Sequence, residues 1–250
     1  VFSPHKFLGG PGSSGVLIFN SKLYHNKVPD NPGGGTVSWT NRWNNHNYIT
    51  DIEAREDGGT PGFIQSMRTA MVIGLKNRMD VGKMQQRENE LLKIAFARMD
   101  EIRGLHILAG EHRERIGVIS FYMDNIHHNL IIRLLNDRYG IQIRGGCSCA
   151  GTYGHFLLHV TRAQSKHITE QINEGDLSLK PGWARLSLHP TMTDSELEYI
   201  MEALEELSAN VEEWKKDYDH SSITNEFIHK NFTVKNPEDF KSWFSFEKIE

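Results

Sequence analysis

The chain opens with the stretch Ser3–Gly15, whose sequence is SPHKFLGGPGSSG. Within it Lys6 is followed at once by a glycine-rich turn, and small residues and hydroxyls stand on both sides of the lysine. We expect this lysine to lie at the end of a strand. An amine held beside groups that can meet a phosphate suits a Schiff base with pyridoxal 5'-phosphate (PLP). The alternative is a surface lysine ahead of a hairpin turn.

Three further motifs follow along the chain. They are Asp57–Pro61 (DGGTP), Arg144–Ala150 (RGGCSCA) and Ala184–Pro190 (ARLSLHP), and the last one leads into a predicted helix. In this order the four motifs resemble the class V PLP-dependent aminotransferase family, most closely its cysteine desulfurase and selenocysteine lyase group. The resemblance runs from Ser3 to about Leu207, and four ordered motifs are far more specific than any one of them.

The resemblance implies an α/β protein of fold type I. In that architecture a large sheet domain carries the cofactor lysine, and a small C-terminal α/β domain closes over it. Residues 1–82 would be the C-terminal end of the large domain. Residues 83–250 would be the small domain, with an insertion at about 151–182. Because the chain begins at Val1 and Lys6 follows so closely, we expect it to be the C-terminal part of a longer protein.

The resemblance also implies the cofactor-binding residues. Lys6 would form the Schiff base, and Ser3 and His5 would contact the phosphate of PLP. Gly59 and Thr60 would reach across a dimer interface to the phosphate bound by the other subunit, which implies a homodimer. Structural alternatives are a hydrogen-bonded histidine at position 5 and an ordinary turn at Gly59 and Thr60.

Two arginines match the substrate side of the family's site. Arg185 would clamp the substrate α-carboxylate, for which a planar, two-pronged guanidinium is better suited than a lysine. Arg144 also matches a position near the family's active site. The alternative for Arg185 is a surface salt bridge.

Cys149 matches the desulfurase nucleophile, whose thiolate would attack the substrate sulfur and carry it off as a persulfide. Such a cysteine must be partly exposed and lie in an electropositive setting, for which Arg144 is a candidate. One alternative is a buried, inert thiol. Another is a metal site formed by Cys147, Cys149, His155 and His159, although this spacing is only a weak indication of a metal site. We expect no metal.

The implied function is that of a PLP-dependent enzyme that cleaves the carbon–sulfur or carbon–selenium bond of cysteine or selenocysteine, with a sulfur-acceptor protein as a further partner. Two alternatives stay open: another class V aminotransferase, and a non-catalytic truncated module. In the family, the acid on the pyridine nitrogen and the ring that stacks on the cofactor lie upstream of the residue matching Ser3. We therefore expect this chain alone to bind PLP weakly or not at all and to be inactive.

Composition and charge indicate which classes of partner and which cellular compartment to expect. Lysine, arginine and acidic residues are interspersed and the net charge is -4, so we expect no nucleic-acid partner. Only two cysteines occur, one residue apart, which excludes a disulfide framework. No apolar run approaches the ~18 residues that span a bilayer, and no signal-peptide pattern is visible. We expect a soluble, cytoplasmic protein without membrane contact.

Hydrophobic periodicity predicts the regular elements. Strands are expected at residues 15–19, 106–108, 116–123, 141–144 and 183–188, and helices from 63, over 83–102, over 129–139 and from 194. Thr193 and Glu196 have the spacing of a capping box. The residues expected to be buried are Ile64, Met67, Met71, Val72 and Leu75 on the first helix, and Leu91, Leu92, Ile94, Ala95 and Met99 on the second.

Overall fold

The computed structural model describes residues 1–232, so the tail beyond that point lies outside the described residues. The described residues form two compact units, which divide between Met84 and Gln85. The assignment of residues 1–82 and 83–250 to a large and a small domain stays a prediction. None of the helices within residues 1–232 is both long enough and apolar enough to cross a membrane.

The first unit contains little regular structure before its long helix. Its elements are 3-10 turns at Pro4–Lys6 and Ser21–Leu23, strands β1 (Val37–Thr40) and β2 (His46–Tyr48), and helices α1 (Ile52–Glu56) and α2 (Phe63–Arg78). Strands β1 and β2 pair antiparallel. Helix α3 (Val81–Met99) then runs across the division between the two units.

The expected strand at residues 15–19 is wrong. Only Val16 is paired, in an isolated bridge to Phe2 with backbone hydrogen bonds of 2.9 and 3.0 Å. A strand needs a neighbour along its length, and none within residues 1–232 pairs with Leu17, Ile18 or Phe19. Lys6 accordingly lies in a 3-10 turn and not at a strand end.

Helix α2 begins at Phe63 as predicted, but its apolar face is not buried. Only Thr69 and Val72 are buried, whereas Ile64 is 74% exposed and Met71 is 70% exposed. The 3.6-residue period correctly indicated a helix with one apolar side. It could not show that no part of the described chain covers that side.

The second unit is a four-stranded antiparallel sheet packed against helices. Its remaining elements, in chain order, are β3 (Leu105–Ile107), β4 (Val118–Met123), α4 (His128–Tyr139), β5 (Arg144–Gly146), α5 (Gly151–Leu157), α6 (Arg162–Asn173), β6 (Trp183–Ser187), α7 (Asp194–Trp214), β7 (Tyr218–Ser221) and β8 (Glu226–His229). The strand order is β3-β4-β6-β5, and β7 and β8 form a separate hairpin.

The core of this unit lies where α3, α4 and α7 meet the sheet. Ile119, Phe121 and Met123 alternate along β4 and are buried, so one face of that strand points into the core. Leu134 on α4 and Leu204 on α7 belong to the same cluster. Each such side chain contributes about 1.5–3 kcal/mol relative to an exposed one.

The expected capping box at the start of α7 is confirmed. The Thr193 hydroxyl accepts a hydrogen bond from the Glu196 N–H, and the Glu196 carboxylate accepts one from the Thr193 N–H at 2.7 Å. These bonds from Thr193 lower the pKa of Glu196. The carboxylate is therefore occupied at the helix terminus.

Two other expectations need correction. The strand expected at 141–144 begins only at Arg144, because the preceding isoleucines line a cavity instead of pairing. Helix α3 ends at Met99, with Phe96 buried and Ile94 exposed. The segment 151–182 contains helices α5 and α6, and its being an insertion stays a prediction. The chain after Trp214 continues into the β7–β8 hairpin.

Burial of His128 makes the stability of this unit depend on pH. His128 is only 8% exposed, and burial, with smaller contributions from His127 and Lys180, lowers its pKa to about 4. In the unfolded chain it has an ordinary pKa of about 6.5. Between about pH 6.5 and pH 4, His128 is therefore protonated in the unfolded state but neutral in the folded state. The free energy of unfolding falls as the pH drops through this range.

We expect the wild-type chain to lose about 2–3 kcal/mol more unfolding free energy than His128→Gln between about pH 7 and pH 4. Urea unfolding followed by circular dichroism at several pH values measures this difference. Carboxylates titrate in both proteins and cancel in the comparison. Parallel stability profiles for the two proteins would show that His128 does not carry the effect.

Candidate functional site

The Lys6 turn is a tight reversal that leaves the lysine exposed. The Lys6 N–H donates to the Ser3 carbonyl at 3.0 Å, and the Phe7 N–H donates to the Pro4 carbonyl at 2.9 Å. Gly10 is buried against this turn, and a Cβ at that position would overlap the Pro4 carbonyl oxygen. The glycine is thus needed for the chain to fold back on the turn that presents Lys6.

Helix α2 braces the loop that follows. The Arg68 guanidinium donates to the Pro11 carbonyl at 2.5 Å, and the Thr69 hydroxyl donates to the Ser14 carbonyl at 3.3 Å. The Ser14 N–H reaches the Gln65 carbonyl at 3.4 Å. The glycine-rich loop is therefore attached to a regular helix at three points.

The Lys6 turn and the loop that follows it carry groups of the kinds that bind a phosphate-bearing aldehyde cofactor. Lys6 and His5 are exposed and Ser3 is half-buried. The Ser13 hydroxyl is buried and has no hydrogen-bond partner among residues 1–232. An amine, an imidazole and two hydroxyls thus lie within one short loop, and sequence analysis did not single out Ser13 among them.

Gly59 and Thr60 lie in a second loop of the first unit. The Gly59 N–H donates to the Gly34 carbonyl at 2.9 Å, and Gly59 has a left-handed φ of 97°. A Cβ on Gly58 would lie 2.7 Å from the Asn31 carbonyl oxygen, so the backbones approach too closely for a side chain. Thr60 is exposed. No hydrogen bond within the described chain joins this loop to the Lys6 turn.

In the second unit, strand pairing brings the two predicted substrate-binding arginines together. Arg144 on β5 is directly opposite Arg185 on β6. Both line a cavity of about 520 Å³ that lies between the sheet and α7 and is also lined by Tyr139, Gln142, Ser187 and Tyr199. Side chains at directly opposed positions of an antiparallel pair lie on the same face of the sheet.

This cavity has an excess of positive charge. The Nε of Arg185 is buried without a hydrogen-bond partner, and neither arginine has an ion-pair partner in the part of the chain that the structure describes. Glu196 also lines the cavity, but its carboxylate is held in the capping box by Thr193. Two guanidinium groups without a carboxylate partner suit a bound carboxylate or another anion.

Cys149 lies on a tight turn beside one of these arginines. The Ala150 N–H donates to the Cys147 carbonyl at 2.8 Å, and Ser148 and Cys149 have φ values of 49° and 63°. These are the features of a type I' turn, which non-glycine residues adopt rarely. Cys149 is exposed, and its Sγ lies 3.7 Å from Nη2 of Arg144. An exposed thiol beside a guanidinium is the setting that a nucleophilic cysteine requires.

Two alternatives for this cysteine lose support. Its exposure argues against a buried, inert thiol. Within residues 1–232, no group of three or more His, Cys, Asp or Glu side chains could hold a metal ion. His155 instead hydrogen-bonds Ser165 through Nε2 at 3.1 Å and the Gly151 carbonyl through Nδ1 at 3.0 Å.

Two tyrosines of the cavity, Tyr139 and Tyr199, could not be recognised from the sequence. The Tyr139 hydroxyl donates to the Glu206 carboxylate at 2.6 Å, and burial together with this bond raises the pKa of Tyr139. The Tyr199 hydroxyl donates to the Tyr139 carbonyl at 3.1 Å. Neither tyrosine belongs to a local motif. Only the packing of α7 beside the end of α4 brings them together.

The exposed lysine in the glycine-rich turn of the first unit and the paired-arginine cavity of the second unit are each compatible with a PLP-dependent enzyme. Residues 1–200 match the family model described as aminotransferase class-V. The chain therefore belongs to the class-V aminotransferase family, a family of PLP-dependent enzymes.

Curated relatives match a smaller part of the chain. It is 30% identical over 149 residues to a probable cysteine desulfurase of Staphylococcus epidermidis, covering 60% of this chain and 35% of that protein. It is 32% identical over 150 residues to a cysteine desulfurase of Yersinia pseudotuberculosis, covering 60% and 36% respectively. The chain thus spans about a third of the length of these relatives.

Solved structures show the same fold relation. A cysteine desulfurase from Thermococcus onnurineus aligns with a TM-score of 0.56 and 22% identity, covering 73% of this chain and 40% of that one. A cysteine desulfurase from Escherichia coli aligns with a TM-score of 0.54 and 15% identity, covering 74% and 39%. The α/β structure therefore corresponds to part of a fold type I PLP enzyme.

The two opposed arginines give a testable consequence for stability. Like charges directly opposite each other on a sheet destabilise it, so Arg144→Gln should raise the unfolding free energy at low ionic strength by about 0.2–1 kcal/mol. The gain should shrink as salt screens the repulsion. Urea unfolding at two salt concentrations measures it. Arg103→Gln, at an exposed position in a turn, is the matched control for removing one surface charge, and an equal gain there would contradict the prediction.

Proposed function

We propose that this chain is the C-terminal part of a PLP-dependent cysteine desulfurase or selenocysteine lyase. The observation that supports this most directly is the position of Arg144. It is the cross-strand partner of Arg185, and its guanidinium also lies 3.7 Å from the Cys149 sulfur. One residue thus connects a candidate carboxylate site with a candidate sulfur acceptor.

Lys6 is the proposed attachment point of PLP, with Ser3 and His5 as phosphate ligands. When bound, PLP supplies the electron sink that weakens the bond between the substrate β-carbon and its sulfur or selenium. Gly59 and Thr60 are proposed to complete the phosphate site of a second subunit in a homodimer. These roles rest on the motif match and on the exposure of the groups.

Arg185 and Arg144 are proposed to bind the α-carboxylate of cysteine or selenocysteine. Holding the carboxylate at the sheet would fix the direction of the substrate side chain. The Cys149 thiolate then attacks the substrate sulfur and forms a sulfur–sulfur bond. The carbon–sulfur bond breaks, its electron pair stays with the carbon fragment, and that fragment takes up a proton and leaves as alanine. Cys149 keeps the sulfur as a persulfide for an acceptor protein.

A second candidate is another class-V aminotransferase. The family match covers more of the chain than the desulfurase relatives do. A cavity lined by two arginines would also serve an amino-acid substrate in a reaction that needs no thiol. The role of Cys149 therefore separates the two candidates.

In the complete protein that carries this segment, Cys149→Ala should abolish persulfide and alanine formation from cysteine. PLP binding should be unchanged, because the thiol accepts sulfur and does not hold the cofactor. Cys147→Ala should cost much less in the first turnover. Single-turnover alanine release, persulfide labelling and the cofactor absorbance spectrum measure these effects. A protein that releases no alanine from cysteine, but transfers amino groups equally well in both variants, would be an aminotransferase.

Arg185→Lys in the same protein should raise the KM for cysteine by about tenfold or more. A lysine keeps the charge but loses the two parallel hydrogen bonds to a carboxylate. PLP affinity should stay the same, since the arginine contacts the substrate only. Steady-state kinetics and cofactor titration test this, with Arg162→Lys as the matched control. An unchanged KM would remove Arg185 from the site.

A further inference from the structure

The proposed function leaves Cys147 without a role, although it shares a four-residue turn with Cys149. We propose that the two cysteines form an intramolecular dithiol–disulfide pair, in which Cys147 is the resolving thiol that displaces a sulfur-bound group from Cys149. The pair itself is a property of this chain. Only one part rests on the proposed function: that the group carried by Cys149 in the natural reaction is a persulfide sulfur.

The turn keeps the two thiols within reach of each other. Consecutive Cα atoms are about 3.8 Å apart, so those of residues 147 and 149 are separated by at most about 7.6 Å. The reversal closed by the hydrogen bond from Ala150 to the Cys147 carbonyl, at 2.8 Å, shortens that distance. Disulfides span Cα separations of about 4.4–6.8 Å.

The flanking structure fixes this turn at both ends. Strand β5 ends at Gly146, one residue before Cys147, and helix α5 begins at Gly151, one residue after Ala150. The left-handed φ values of Ser148 and Cys149, 49° and 63°, are held between these elements. The thiols therefore stay in one short loop when neither is oxidised.

The environments of the two thiols give the order of reaction. Cys149 is exposed and lies beside the Arg144 guanidinium, whereas Cys147 is half-buried. An external sulfur compound should therefore react with Cys149 first. Cys147 should then attack the Cys149 sulfur, as in other thiol–disulfide exchanges. A disulfide across such a short loop is strained, and strained disulfides are easily reduced again.

For a persulfide on Cys149 the step balances without another oxidant. The Cys147 thiolate attacks the Cys149 sulfur, a bond forms between the two cysteine sulfurs, and the bond to the terminal sulfur breaks. The terminal sulfur leaves with the electron pair as hydrosulfide, so it is reduced while the Cys147 sulfur is oxidised, and the Cys149 sulfur keeps its oxidation level. A small dithiol reductant returns the pair to its starting state.

The test uses the isolated 250-residue chain and no cofactor. The probe is the aromatic disulfide dithiobis(nitrobenzoate), added at less than one equivalent. We expect two thionitrobenzoate anions per reagent molecule, and a monomer that has lost two hydrogens and carries no adduct. Cys147→Ser should release one anion and keep the mixed disulfide. Absorbance and intact-protein mass measure both outcomes.

Two further variants test the order and the role of the turn. Cys149→Ser should react more slowly than the wild type, because only the half-buried thiol remains. Ser148→Pro should slow the second release by about tenfold or more, since proline fixes φ near -65° and excludes the left-handed turn. Circular dichroism shows whether each variant keeps the wild-type fold.

The proposal is wrong if the wild type releases one anion and keeps the adduct, or if it forms covalent dimers. It is also wrong if Cys149→Ser reacts as fast as the wild type, because Cys147 would then be the first thiol to react. Neither PLP nor cysteine takes part, so such a failure leaves the proposed lyase activity standing. Conversely, if the complete enzyme makes no persulfide, the proposed lyase activity is wrong. Disulfide formation between Cys147 and Cys149 in this chain is unaffected by that result.

Discussion

The double pairing of strand β6 is the constraint on which the second unit depends. This strand enters the sheet after the α5–α6 segment and pairs antiparallel with β4 on one side and β5 on the other. Ala184 and Leu186 on it are buried, and Leu186 is opposite Ile119 of β4. Because β6 is central, it joins parts of the chain that are distant in sequence and completes the sheet against which the helices pack.

The same pairing determines the electrostatics of the cavity. Register places Arg185 opposite Arg144, and no side-chain attraction is needed to hold them there. Repulsion between two opposed like charges costs about 0.2–1 kcal/mol, whereas each buried Leu, Ile or Phe of the core contributes about 1.5–3 kcal/mol. The core therefore tolerates the unfavourable pair. What remains is a rigid, cationic position in which an anionic group would be stabilised.

Sequence alone predicts the features of this protein that depend on neighbours in the chain. The helices α3, α4 and α7 follow from apolar periodicity, and the capping box at Thr193 follows from a three-residue spacing. The Lys6 and Cys149 motifs are equally local. Features that depend on distant partners were not predictable. The apolar run at Val16 does not form a strand, because no neighbouring strand within residues 1–232 pairs along it. The pairing of Arg144 with Arg185 depends on a strand that lies about forty residues further along the chain.

Periodicity also says which side of a helix is apolar, but not whether anything covers it. On α3 the apolar side became core, with Leu91 and Met99 fully buried. On α2 a pattern of the same kind leaves Ile64 and Met71 exposed. The difference lies in the packing partners: the sheet of the second unit covers the apolar side of α3, whereas no part of residues 1–232 covers that of α2.

Arg144 and Arg185 lie on regular strands, but the other candidate functional groups lie where the backbone departs from regular structure. Lys6 is the last residue of a 3-10 turn, Gly59 is left-handed, and Cys149 is a left-handed non-glycine residue. Strain at such a residue costs on the order of 1–3 kcal/mol. The Cys149 turn bears this cost because β5 and the start of α5 hold both of its ends. A thiol presented in this way can change its bonding partner without any rearrangement of the core, which is the physical requirement for a cysteine that accepts sulfur and gives it up again.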